Sequence, residues 1–121
     1  MDEMTAGFEP VLAVSREAAW PGVTEGLSYG TPALRVGSKF FLRLREPDVL
    51  VIRCDLDEKE FLMMAAPDIY FETDHYKGWP AVLIRLSKID KDELRERLEK
   101  SWRMLATKKM IAEYDSGRSG H

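Results

Sequence analysis

SYGTPALRVGSKFFLRLREPDVLVIR, residues 28–53, decides how the chain is read. Short apolar runs alternate with turn residues: Gly37-Ser38 follows Ala33–Val36, and Glu46-Pro47-Asp48 precedes Val49–Arg53. Glycine and proline at these places are turn chemistry. Between them, side chains of an extended strand point alternately to opposite faces. Phe40, Leu42 and Leu44 are therefore expected on one face, and Lys39, Phe41, Arg43 and Arg45 on the other. In the next run Leu50 and Ile52 oppose Val49, Val51 and Arg53. Turns this short allow only antiparallel pairing. The reading is a β-meander with an apolar inner face and a basic outer one. The stretch holds five basic side chains, Arg35 among them, against two acidic ones, in a chain whose net charge is −3.

Toward the N-terminus, residues 5–19 predict a helix with Phe8, Leu12 or Val11, and Ala19 near one face. Pro10 fits if the regular helix starts close to it, because proline lacks the N–H that the helix interior needs. Trp20-Pro21-Gly22 ends the helix, and the glycines and proline of VTEGLSYGTP predict a loop. Toward the C-terminus, Asp57 as N-cap with Glu60 three residues on, and Leu56 facing Phe61, predict a helix that stops at Pro67. Residues 68–80 are aromatic and irregular, with a short strand near Tyr70–Phe71. A further strand, Ala81–Leu86, sets Leu83 and Arg85 opposite Val82 and Ile84. Asp90 and Glu93 repeat the capping pattern, with Ile89 and Leu94 as the apolar pair. Leu94, Leu98, Trp102 and Leu105 mark a buried stripe, while Glu93–Arg97, Glu96–Lys100 and Glu99–Arg103 stand at ion-pair spacing. This helix is expected to reach about Tyr114. The order α-β(3)-α-β(2)-α predicts a single two-layer α+β domain over residues 1–114, with helices on one face of an antiparallel sheet and the other face uncovered. Residues 115–121 read as a polar flexible tail.

Composition restricts the function. At 45% apolar and 32% charged residues the chain is an ordinary globular protein, and no apolar run approaches a membrane span. MDEMTAGFEP carries no apolar signal core, so a cytoplasmic location is expected. One cysteine, Cys54, excludes an internal disulfide and a cysteine zinc site. With two histidines, His75 and His121, an enzymatic reading has to run through His75. Neither Ser28 nor Cys54 sits in a nucleophile motif, and no strand–Gly-rich loop–helix unit is present to hold a nucleotide. No enzyme activity, metal or cofactor is expected.

The strings LSYGTPALRVGSKFFLRL, AAPDIYF and FETDHYKGWPAVLIRL, followed by a leucine-tryptophan C-terminal helix, occur in an order that resembles the MmcQ/YjbR-like family across roughly residues 8–106. The resemblance implies a two-layer fold similar to type III secretion chaperones and frataxin-like domains. It also implies DNA binding through a double-wing motif, a description that itself rests on fold similarity. It brings no catalytic residues.

Three constellations follow. On the outer sheet face, Lys39, Phe41, Arg43, Arg45, Arg53 and Arg85, with Val51 and Leu83, interleave guanidinium and apolar groups. Such a face suits phosphates and bases, a protein partner or second copy of the chain, or plain solvation with arginine stems over apolar neighbours. At one end of the sheet, Tyr29, His75, Tyr76 and Trp79 form a candidate pocket for a small anion or acid–base chemistry, or an aromatic plug of the core. Asp55, Asp57, Glu58 and Glu60 could hold a hard cation, but helix capping accounts for them better. Met63-Met64 reads as core filling. The expectation is a non-enzymatic DNA-binding protein using the basic face. The alternative is a protein-interaction or chaperone-like adaptor, including a homodimer, using the same face, with no membrane partner.

Overall fold

The computed structural model describes residues 3–119, with side chains from 6 to 117. The meander is present and is one strand longer than expected: β1 (Val23–Ser28), β2 (Thr31–Val36), β3 (Lys39–Glu46) and β4 (Val49–Arg53) pair antiparallel in turn. The extra strand β1 lies in the stretch read as a loop. It forms the sheet edge and leaves Thr24–Leu27 exposed. Ladder hydrogen bonds to β2 define it, so it carries no apolar alternation for a pattern to detect. Tyr29 and Gly30, both left-handed at φ 53° and 77°, close the β1–β2 hairpin with the geometry of a type I′ turn.

Helix α1 (Glu3–Ala18) precedes the sheet. After β4 the chain forms α2 (Leu56–Ala65), the two-residue strand β5 (Tyr70–Phe71), a 3₁₀ turn at Asp74–Tyr76 and β6 (Ala81–Arg85). Strand β6 inserts between β4 and β5, giving the order β1-β2-β3-β4-β6-β5. Helices α3 (Lys91–Leu105) and α4 (Lys108–Ser119) close the chain. The fold is α+β with helices packed on the sheet, as expected.

The main core lies between the helices and one sheet face. Phe8, Val11 and Val14 of α1 meet Leu34, Leu42, Leu44, Leu50, Ile52, Val82 and Ile84, and the predicted stripe Leu94, Leu98, Trp102 and Leu105 is buried throughout. Trp102 stacks near Trp20 and donates its indole N–H to the Pro21 carbonyl at 2.9 Å. The opposite face is not uncovered. Val49, Val51, Ala81 and Leu83 are buried there beneath Tyr76, with Phe40 and Phe71 packed alongside.

Two bulges correct the strand alternation. Leu34 pairs with Leu42 and Arg35 with Phe40, so Phe41 has no opposite residue. This extra residue turns Phe41 into the main core beside Leu42 and leaves Phe40 on the second face, the reverse of the expected order. Arg45 is skipped in the same way between β3 and β4.

The helix ends differ in detail. Helix α1 begins at Glu3, with Pro10 in its interior. Helix α2 is capped by Asp55, whose carboxylate accepts from the Glu58 N–H at 2.8 Å, two residues before the expected cap. Leu56 and Phe61 are both exposed and form no staple. Asp90 caps α3 as expected, accepting from the Glu93 N–H. Of the expected ion pairs on α3 only Glu99–Arg103 forms, at 3.1 Å; Arg97 and Lys100 instead reach Glu58 on α2, at 2.7 and 3.4 Å. The last helix breaks at Ala106, and the Thr107 hydroxyl accepts from the Met110 N–H to start α4. Helix α4 continues to Ser119 through much of the expected tail, with Asp115 paired to Arg103 at 2.8 Å.

Candidate functional site

The loop between β5 and β6 is fastened by one side chain. Lys59, on α2, is 2% exposed, pairs with Glu72 at 2.8 Å, and donates to the carbonyl oxygens of Tyr76 at 2.7 Å and Trp79 at 2.9 Å. An ammonium has three N–H groups, and here each has an acceptor. Burial of the charge is thereby compensated, and the backbone of residues 76–79 is held to α2. From the sheet side, the Arg53 Nε donates to the Pro80 carbonyl at 3.1 Å. Gly78, at φ 80°, supplies the left-handed corner before Trp79.

Held this way, the loop forms one wall of a groove of about 810 Å³ on the second sheet face. His75, Tyr76 and Trp79 stand on the loop side, and Tyr29 at the hairpin tip stands on the other. Phe40, Val51 and Ala81 form the apolar floor. Strands β2, β3 and β4 contribute Arg35, Arg43 and Arg53. Arg43 donates to the Tyr76 hydroxyl at 3.0 Å and lies 5.3 Å from the Tyr29 ring centre. The His75 and Tyr76 rings meet edge to face at 4.8 Å. Tyr29 is 91% and Trp79 59% exposed, so two large rings face water at the rim.

The electrostatics are one-sided. Among the described residues no acidic side chain lines the groove. Among the described residues, Arg43 contacts only hydroxyls and a ring, Arg53 a backbone carbonyl, and Arg35 makes no ion pair or side-chain hydrogen bond. Three guanidinium charges thus converge on one concave space without a carboxylate partner, which is an attractive field for an anion.

The structure merges two of the expected constellations and splits the first. Tyr29, Arg43, Arg53, His75, Tyr76 and Trp79 come together in the groove. Lys39 does not: it lies toward the helices and donates to the Leu105 carbonyl at the end of α3, at 3.1 Å. Phe41 is core. Arg45 stands 3.9 Å from Glu46 and does not line the groove. Arg85 covers the Phe71 ring at 3.9 Å and reaches the Pro67 and Asp68 carbonyls, away from the groove. Arg35, Phe40 and Lys59 were missed as site residues. Arg35 was detectable, since alternation with Leu34 and Val36 puts it on the basic face. Phe40 was not, because nothing in a Phe-Phe pair announces a bulge.

Two of the acidic residues at the start of α2, Asp55 and Glu58, are occupied by structure. Asp55 caps the helix, and Glu58 takes Arg97 and Lys100. Among the described residues no group of three or more His, Cys, Asp or Glu gathers as a metal site. Cys54 is buried next to this cluster, and burial, with Glu58 and Asp55 nearby, pushes its thiol up to about 12. Among the described residues no helix is long and apolar enough to cross a membrane.

A family model described as YjbR matches residues 18–104, from the end of α1 to the last turn of α3, which encloses the whole sheet and the groove. The chain is also similar to uncharacterized protein Mb2600 of Mycobacterium bovis and uncharacterized protein Rv2570 of Mycobacterium tuberculosis. Each is 35% identical over 65 residues, 53% of this chain and 50% of the relative, so the chain spans about half the length of the curated relatives it matches. No solved structure matches. With the family match covering well over half its length, the chain belongs to the YjbR family.

Proposed function

We propose that this protein is a non-enzymatic, cytoplasmic nucleic-acid-binding protein, with DNA as the ligand and the groove as its binding surface. The observation that carries the reading is the convergence of Arg35, Arg43 and Arg53 in one groove, with no carboxylate partner and no acidic side chain in the lining among the described residues, on a chain of net charge −3. Phosphates supply the missing negative charge. The β1–β2 hairpin and the loop held by Lys59 flank the groove as the two wings would in a double-wing arrangement. Among the described residues the groove's polar side-chain groups are an imidazole, an indole N–H, hydroxyls and guanidiniums, a set suited to binding.

A salt titration tests this. Binding of fluorescently labelled DNA at about 50 mM salt, followed by a fall in log K against log salt, is the expected result. Each neutralised phosphate contributes roughly 0.7 to 0.9 to the slope, so three arginines predict about −2 to −3. An affinity insensitive to salt contradicts the proposal.

Exposed Tyr29 and Trp79 favour a second reading, an adaptor or homodimer using the same face. Light scattering separates the two: a dimer that Trp79→Asp dissociates supports self-association, and a monomer counts against it.

A further inference from the structure

Resting on the nucleic-acid reading just given, we infer that the groove takes a single strand, with at least one base lifted out of the stack onto the exposed rings at its rim and the phosphates passing the three arginines. The first observation is the pair of rings. Tyr29 is 91% exposed and sits at a left-handed φ of 53°, a conformation that tight hairpin turns normally assign to glycine, asparagine or aspartate. A bulky aromatic at such a tip, with Arg43 on the ring and the rest of it in water, leaves an open π-face to a ligand. Trp79, 59% exposed, is the opposite case of the same thing: its backbone carbonyl is pinned by Lys59 while its ring is left in water.

The second observation is the arrangement between the rings. Arg43 lies over the Tyr29 ring and is held by the Tyr76 hydroxyl, so a cation and a π-face are already set side by side. The floor of Phe40, Val51 and Ala81 offers no side-chain donor or acceptor to a base edge. Such a site reads π-faces and is tolerant of sequence. In a duplex the faces of the bases are stacked against one another and only their edges reach the grooves, so these rings would meet nothing they can stack on. An unstacked strand offers both the faces and the phosphates. A strand also presents successive phosphates to arginines that stand on three different strands, β2, β3 and β4.

The test is fluorescence anisotropy of the whole protein against labelled probes of about 12 nucleotides: single-stranded oligo-dT, an abasic strand of the same length, and a duplex, with unlabelled dTMP as competitor. Oligo-dT is expected to bind about tenfold or more tightly than the abasic strand or the duplex. Tyr29→Ala should weaken oligo-dT by about tenfold and leave the abasic strand unchanged, and Tyr29→Phe should restore the affinity. This rescue separates loss of stacking from a disturbed hairpin. Equal affinity for oligo-dT and the abasic strand, a preference for duplex, or competition by dTMP at the same concentration as oligo-dT overturns the single-strand assignment while leaving salt-dependent binding intact. Absence of binding to every probe overturns the nucleic-acid reading itself.

Discussion

Lys59 shows how far one buried charge can organise a site. Its ammonium ties α2 to Glu72 and to two carbonyls of the groove wall. Lys59→Met keeps the apolar stem but takes the ammonium from Glu72 and from both carbonyls, which keep only their backbone donors, the N–H groups of Trp79 and Ala81. It is expected to lower stability by about 2–4 kcal/mol in urea denaturation, and to shift Trp79 fluorescence as the wall loosens. The range stays below that of a fully buried pair because Glu72 is 26% exposed and can hydrate. Cys54 makes a second prediction at this scale. A thiol raised from 9.0 to about 12 in the folded chain favours folding while it stays protonated. That contribution is present below about pH 9 and is lost as pH rises toward about 12. At about pH 8 a thiol-specific reagent should label Cys54 only after unfolding. Neither residue stood out in the sequence as a site group. A lysine among cap acids reads as solvated, and only the folded loop brings it three acceptors.

Among the elements, α2 shows where a local signal is legible and still ambiguous. Residues Asp55–Glu60, DLDEKE, hold two overlapping Asp-x-x-Glu boxes, Asp55 with Glu58 and Asp57 with Glu60. Either could start the helix. The first does: Asp55 accepts from the Glu58 N–H, the helix starts two residues earlier, and Glu58 takes Arg97 and Lys100. Asp55→Ala should cost about 1 kcal/mol by thermal unfolding, while Asp57→Ala should be nearly neutral. The single box at Asp90 left no such choice and was read correctly. Packing of α1 on the sheet gives a sharper test. A Cβ on Gly7 would lie 2.1 Å from the Pro47 carbonyl oxygen, in the turn between β3 and β4. Since backbone cannot yield as a side chain can, Gly7→Ala should destabilise by about 1–3 kcal/mol, despite the better helix propensity of alanine. Contacts of this kind join segments far apart in sequence and leave no local pattern.

In the whole molecule, the meander, the helical stripe and the two-layer plan were legible because alternation and capping are local. The groove was only half legible. Its arginines and aromatics were visible as two separate sets, and the expected basic face lost Lys39 and Phe41 to the helix side through strand geometry that hydropathy does not encode. What joins the sets is the loop folded over Val51 and Leu83, which depends on Lys59 and on the insertion of β6 between β4 and β5. The result is a basic concavity on an acidic protein, and its charge is the centre of the account. Arg35 tests that charge most directly, since it makes no ion pair or side-chain hydrogen bond among the described residues and its loss should leave the fold unchanged. The measurement is the slope of log K against log salt for single-stranded DNA, wild type against Arg35→Ala. The account predicts that the slope becomes shallower by about 0.7, one phosphate contact, and that affinity falls at low salt. An unchanged slope and affinity in Arg35→Ala would contradict it.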